Sequence, residues 1–265
     1  MPNYSDGFLK VVDELFREMN ELVPSALYQP AQVVQISGRI SGTAFFPGGC
    51  GLYLEERDRN AVKFPVGGVM ILGHNFDCET GFQKSLENGK EDLKGRGTWR
   101  PLLKLLKDAG IPAPEGCFFT NAFMGLCERD DPETYNGRKH PAFRAGCLKL
   151  LKVQIKTQRP RLILTLGPKV PPLLAAASPD LQEWNGRPRK SSCDPELHLE
   201  DLDRAPIFYD ARIDLDDGSF HTAVITAVAH PSHPNSWRRK PLGFPEGRDG
   251  GMKLIRVGWD ASLFT

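Results

Sequence analysis

The chain has 265 residues, enough to bury a sizeable core as one large α/β domain or two small ones. Hydrophobic residues make up 40% and charged residues 25%, an ordinary globular composition, and the formal net charge of +1 gives no hint of a nucleic-acid partner. The distribution of charge says more. Arg138, Arg144, Lys149, Lys152, Lys156, Arg159 and Arg161 follow one another with no acid between them, Arg238-Arg239-Lys240 forms a second basic cluster, and acids gather from Asp194 to Asp217. A solvated mixed-charge surface is the plain reading, and a basic face that attracts phosphates is the alternative. No basic region followed by an apolar run opens the sequence, and no stretch is apolar for long enough to cross a bilayer, so a cytoplasmic protein with reduced thiols is expected. The six cysteines, at 50, 78, 117, 127, 147 and 193, include no Cys-x-x-Cys pair, which predicts buried structural thiols rather than a metal site.

The N-terminal segment reads as an amphipathic helix. Ser5 is placed to cap it, and Phe8, Val11, Val12, Leu15, Phe16, Met19 and Leu22 recur at three- and four-residue spacing. From Val33 to Phe64 β-branched and aromatic residues alternate with Gly and polar ones, and Gly48-Gly49 suggests the turn of a β-hairpin. Beyond residue 66 short apolar runs alternate with helical patterns. Val69–Leu72 is a strand ending at Gly73; Thr98 can cap a helix carrying Leu102, Leu103, Leu105 and Leu106, with Gly110 past its end. Cys117–Thr120 is a strand ending at Asn121, and a helix runs from about Pro141 to Thr157. Arg161–Leu166 is a strand ending at Gly167, Pro168 opens a helix through Leu174, and Ala223–Ala229 is a strand ending at His230. This order predicts one α/β domain over 1–265: a three-layer α/β/α fold around a mainly parallel sheet of about four strands. Residues 1–65 supply the helix and hairpin, and 179–217, rich in Pro, Asp and Arg, read as a surface insertion with one short strand at Ile207–Tyr209.

Each strand ends in a glycine or an unusual polar group: Gly73-His74-Asn75-Phe76-Asp77, Asn121, Gly167, and His230-Pro231-Ser232. In an open parallel sheet ligands bind outside the carboxyl ends of the strands, so these groups are expected to meet in one crevice. Any one of them alone is more often a turn or structural residue; the set is harder to dismiss.

In this set the sequence resembles the uracil-DNA glycosylase superfamily. Gly73-His74-Asn75-Phe76-Asp77 looks like its first motif, Phe119-Thr120-Asn121 like the strand whose asparagine reads uracil, Arg161–Gly167 like its strand-then-glycine segment, and His230-Pro231-Ser232 like its last motif. Order and spacing agree over about residues 66–240. Phe76 stands where several branches carry proline, and Asp77 stands where the best-known branch has a tyrosine that rejects thymine, so the chain fits no standard branch. The cysteine pattern of the iron–sulfur branches is missing, and no cluster, metal or other cofactor is expected.

The resemblance implies an enzyme that flips uracil out of DNA and hydrolyses its glycosidic bond. His230 would donate to the uracil O2 as negative charge builds on the departing base. Asn121 suits base reading because one amide carries both a donor and an acceptor. Asn75 would hold the attacking water. Asp77 is either a base or cation stabiliser, or an N-cap of the loop. Gly73 and His74 belong to the same pocket, and Phe76 or Phe82 would stack on the base, Phe76 being preferred. Ser232, Arg238, Arg239, Lys169 and Gly167 are candidates for contact with DNA phosphates, and Trp237 is either a wedge into the base stack or a packing residue. The expected partner is uracil-containing DNA, with no membrane, and the expected state is a monomer. One rival keeps the fold but binds DNA or excises another damaged base. A nucleotide hydrolase or transferase is disfavoured, because no Gly-x-x-x-x-Gly-Lys loop or Gly-x-Gly-x-x-Gly turn is present.

Overall fold

A computed structural model describes residues 5–54, 62–93, 97–111, 114–128, 135–188, 195–232 and 239–264. In chain order the elements are α1 (Ser5–Leu22), β1 (Val33–Val34), β2 (Val69–Gly73), α2 (Glu79–Glu87), α3 (Trp99–Asp108), β3 (Cys117–Asn121), β4 (Leu126–Cys127), α4 (Pro141–Gln158) and β5 (Leu162–Leu166). They continue with α5 (Pro171–Ala175), β6 (Arg187–Pro188), β7 (Pro195–Glu196), α6 (Leu199–Arg204), β8 (Ile207–Asp214), β9 (Phe220–Val228) and α7 (Gly247–Ser262).

The central sheet has the order β3-β2-β5-β9-β8. Its first four strands are parallel, and β8 runs antiparallel to β9 at one edge. Strand side chains alternate between two cores. Met70, Leu72, Phe118, Ile163 and Ile225 face the layer that holds α1, α4 and α5. Val69, Ile71, Phe119, Leu164 and Val224 face the layer that holds α2, α3 and α7. Burial on both faces explains why β2, β3 and β5 read as continuous apolar runs rather than alternating ones. This is the three-layer α/β/α fold read from the sequence, with five strands in place of about four.

Four expectations change. Among the described residues, 33–54 form no hairpin. β1 pairs with β4, and the chain from Ile40 to Leu52 runs along β3 through isolated bonds such as Phe46 N–H to Phe119 O and Phe119 N–H to Gly51 O. Gly48 lies in a short turn closed by Gly49 N–H to Phe45 O, and it also permits close approach: a Cβ at that position would lie 2.2 Å from the Phe76 ring. Second, the 179–217 segment is no mere surface insertion. Its β8 spans eight residues of the main sheet, and Leu181, Trp184, Leu202, Ala211 and Ile213 are buried. Asp210, in the left-handed region at φ +52°, accompanies a register shift between Phe208 and Ala211, and the irregularity hides the strand's alternation in the sequence. Third, Thr98 is helical (φ −69°, ψ −37°) and its side chain makes no capping bond; the side chain of Ser5 lies outside the described residues. Fourth, the helix expected to open at Pro168 begins at Pro171. No expectation covered α7, whose Gly247, Gly250, Gly251 and Gly258 dilute its helical pattern. Gly258 lets the helix cross the sheet, since a Cβ there would lie 2.5 Å from Thr226 Oγ1.

Candidate active site

From β2 the chain passes to β3 on one side and then back across to β5 on the other. The carboxyl ends of β2 and β5 therefore flank a topological switch point, where sheets of this kind open a crevice. A cavity of about 730 Å³ lies there. The loop Gly73–Asp77, Asn121, Gly167–Lys169, His230 and Ser232 line it, as the sequence predicts. Phe45, Lys84, Glu91 and Trp99 also line it, and none of these was foreseen as functional. Phe45 lies in the segment read as a hairpin and Glu91 in a stretch that carries no motif; only the folded chain brings them to the cavity.

The first loop is a fixed hydrogen-bonded unit. Gly73 has no room for a side chain, because a Cβ would lie 2.5 Å from Asn121 Oδ1. Asn75 Nδ2 donates to Asp77 O at 3.2 Å and to Cys127 Sγ at 3.4 Å, while Asn75 Oδ1 lies 2.7 Å from His74 Nδ1. An amide oxygen only accepts, so His74 donates through Nδ1. Burial, aided by the positive charge of Lys169, pushes the His74 imidazole down to about 3, against the opposing effect of its bond to Asn75. The ring is neutral, and its Nε2 is buried with no hydrogen-bond partner. Asp77 adopts the left-handed conformation (φ +42°), which short polar side chains tolerate, and this turns its carbonyl toward Asn75 Nδ2 and Cys127 N. Its exposed carboxylate lies over the first turn of α2, beside Gly81. The N-cap itself is Cys78, so the capping alternative for Asp77 reduces to a charge near a helix N-terminus.

Two adjacent residues hold two polar groups of the cavity. Asn121 Nδ2 donates to Phe46 O at 3.0 Å, leaving one N–H and the oxygen of the amide for a ligand. One residue earlier, Phe45 N–H donates to Glu91 Oε2 at 2.7 Å. Burial raises the Glu91 carboxyl to about 7, the Phe45 bond and the Trp99 indole oppose this, and the negative charge of Asp77 adds to the rise. The Phe45 ring makes edge contacts with Trp99 (5.0 Å between centroids) and Phe119 (5.4 Å), so this wall is aromatic and rigid.

On the opposite strand ends, His230 Nδ1 lies 2.7 Å from Ser232 Oγ. Gly167 (φ +82°) packs beneath His230, with a Cβ there placed 3.4 Å from the His230 Cβ. Its role is thus to shape the wall. Lys169 lines the cavity and its charge reaches His74.

Several expected site residues lie elsewhere. Phe82 is fully buried and packs edge-on against Phe76 at 5.7 Å, so Phe76 alone of the pair lines the cavity. Arg239 is 3% exposed and ion-paired with Asp203, which removes it from the DNA-contact candidates. Its guanidinium is a lock between α6 and the loop that follows β9, and Lys240 N–H donates to the same carboxylate at 3.1 Å. Trp237 and Arg238 lie outside the described residues. The basic helix α4 is partly neutralised by the returning acidic segment, through Lys152–Asp216 at 2.8 Å and Lys156–Asp217 at 2.7 Å. Cys50, Cys117, Cys127 and Cys147 are buried thiols outside any disulfide, as expected, and Cys78 is partly exposed.

Among the described residues no helix is long and apolar enough to cross a membrane, and no group of three or more His, Cys, Asp and Glu side chains could hold a metal ion. No protein-family model matches this sequence, and no curated protein matches it.

Proposed function

We propose that this chain is a DNA glycosylase of the uracil-DNA glycosylase type, which extrudes uracil from DNA into the cavity and hydrolyses its N-glycosidic bond, leaving an abasic site. The observation that carries the reading is the meeting of Asn75, Asn121 and His230, from the ends of three different parallel strands, in one cavity at the switch point. In this reading the Asn121 amide, held by Phe46 O, gives its remaining N–H to uracil O4 and accepts from N3–H. Cytosine reverses both groups and would leave buried polar groups unpaired, at about 1–3 kcal/mol each. Ser232 donates to His230 Nδ1, which keeps the proton on Nε2 as a donor to the O2 oxyanion. Asn75 Oδ1 accepts from His74 and uses its second lone pair to hold the water that attacks the sugar. An amide cannot remove the water's proton, and Asp77, the carboxylate of the same loop, would stabilise the sugar cation or take that proton. The protein acts as a monomer on DNA in the cytoplasm.

The test is incubation with uracil-containing and matched thymine-containing oligonucleotides, followed by alkaline cleavage of abasic sites. Strand scission only at uracil supports the reading, and no scission at uracil overturns it. A second reading, excision of a different damaged base, is favoured by one feature: Asp77 and Glu91 both face the cavity, and uracil itself needs no second carboxyl reader.

A further inference from the structure

The peptide groups of two consecutive residues anchor two side chains that line the same cavity. Phe46 C=O fixes Asn121, and Phe45 N–H fixes Glu91. Asn121 is an amide with a donor and an acceptor to spare. Glu91 has Oε2 engaged by Phe45 N–H, and the Trp99 indole also favours its ionised form. Its surroundings are the aromatic rings of Phe45 and Trp99, with Asp77 close enough to repel it. A carboxyl so placed is a costly feature unless something uses it, because burial penalises the ionised form.

We infer that Glu91 is a second base-reading residue, which selects bases that keep the edge read by Asn121 and carry an amino group elsewhere on the ring. The inference rests on the base-excision reading above. An ammonium group relieves the repulsion between Glu91 and Asp77, and a neutral hydroxyl of the same size does not. The carboxyl sits near half-ionised at neutral pH, pushed up to about 7, so an amine that binds the ionised form releases a proton on entry. Among the described residues the other charged and titratable groups lining the cavity are Asp77, Asp92, Lys84, Lys169, His74 and His230, and all of them are common to wild type and a Glu91 variant. Glu91→Gln is the isosteric lock: its oxygen still accepts from Phe45 N–H, its NH₂ mimics the protonated acid, and it cannot ionise.

The probes are oligonucleotides bearing uracil, 5-(aminomethyl)uracil or 5-(hydroxymethyl)uracil, the last two differing in charge but hardly in size. Single-turnover release is measured for wild type and Glu91→Gln from about pH 5.5 to about pH 8.5, a range that spans the carboxyl titration. The expected result is a wild-type preference for the aminomethyl over the hydroxymethyl base that grows about tenfold across this range and is flat in Glu91→Gln, each rate being taken relative to the same protein's release of uracil. Equal handling of the two substituted bases by both proteins, with uracil released, overturns the role of Glu91 and leaves the proposed function standing. Failure to release uracil overturns the proposed function, and binding then decides the role of Glu91. Intrinsic tryptophan fluorescence follows binding of the two free substituted bases to the wild-type protein, and calorimetry in buffers of different ionisation enthalpy counts protons. Tighter binding of the amine with proton release supports the inference, and equal binding without it overturns it. The wild-type measurements stand even where the variant does not fold.

Discussion

His74 Nδ1 lies 2.7 Å from Asn75 Oδ1, and that single contact determines what both residues can do. The two N–H groups of Asn75 are directed at Asp77 O and Cys127 Sγ, so the amide oxygen is its only group left for the cavity. His74 must then be the Nδ1–H tautomer and neutral. Nitrogen-15 chemical shifts should show one protonated Nδ1 and no titration of His74 down to about pH 4, since burial pushes it to about 3. The unfolded chain binds a proton on this ring below about 6.5 and the native state does not. Its contribution to stability is therefore full above 6.5 and is lost as the pH falls from 6.5 toward 3. A charged His74 at pH 6 would refute the assignment.

Asn75 and Asp77 separate by mutation. Asn75→Ala is expected to slow single-turnover uracil release by about 10²-fold through loss of the positioned water, with base binding kept. Asp77→Asn preserves size and the left-handed turn but removes charge. If the carboxylate stabilises the sugar cation, this variant is the more impaired of the two and loses the acid limb of its pH–rate profile. Wild-type rates for Asp77→Asn would confine Asp77 to a charge beside the N-terminus of α2.

Asn121→Asp tests base reading and folding together. The substitution replaces a donor to Phe46 O by a carboxylate oxygen at 3.0 Å, and strands a buried carbonyl. We expect a stability loss of about 1–3 kcal/mol in chemical denaturation and at least 10²-fold slower uracil release. Retained stability would show that the Phe46 contact is unimportant.

His230→Ala should lower uracil release by about 10²–10³-fold with an unchanged melting temperature, as for loss of one oxyanion donor. Ser232→Ala should cost less, about tenfold, because it frees the orientation of the His230 ring without removing the donor. Equal losses in the two variants would place Ser232 in direct contact with substrate.

Glu91 has a thermodynamic signature of its own. Its carboxyl is raised to about 7 in the native state, so between about 4.5 and 7 the folded protein holds a proton that the unfolded chain has released. That contribution is present at acid pH and is lost as the pH rises through 7. Thermal unfolding of Glu91→Gln relative to wild type should therefore improve by about 2 kcal/mol between pH 5 and pH 8.5. A pH-independent difference would show that Glu91 does not titrate in this range.

Recognition from sequence was strongest where the physical signal is local. The runs at Val69–Gly73, Cys117–Asn121 and Leu162–Leu166 are continuous because both faces of the sheet are covered, and a run of that kind with a glycine or asparagine at its end marks the carboxyl edge directly. The residues of the strand-end motifs thus reached one cavity as read, Asn75, Asn121 and His230 among them. What tertiary structure alone decided depends on partners distant in the chain. Glu91 becomes a cavity residue through a peptide group 46 residues away, and Arg239 is removed from the surface by Asp203, 36 residues before it. Phe76 and Phe82 have the same chemistry in the sequence; Gly48 leaves room for the Phe76 ring beside the cavity, while Phe82 turns into the core. Side-chain chemistry is written in each residue, but burial, charge neutralisation and the hydrogen bonds that set a donor's direction are properties of pairs, and the pairs exist only once the sheet has closed its two layers.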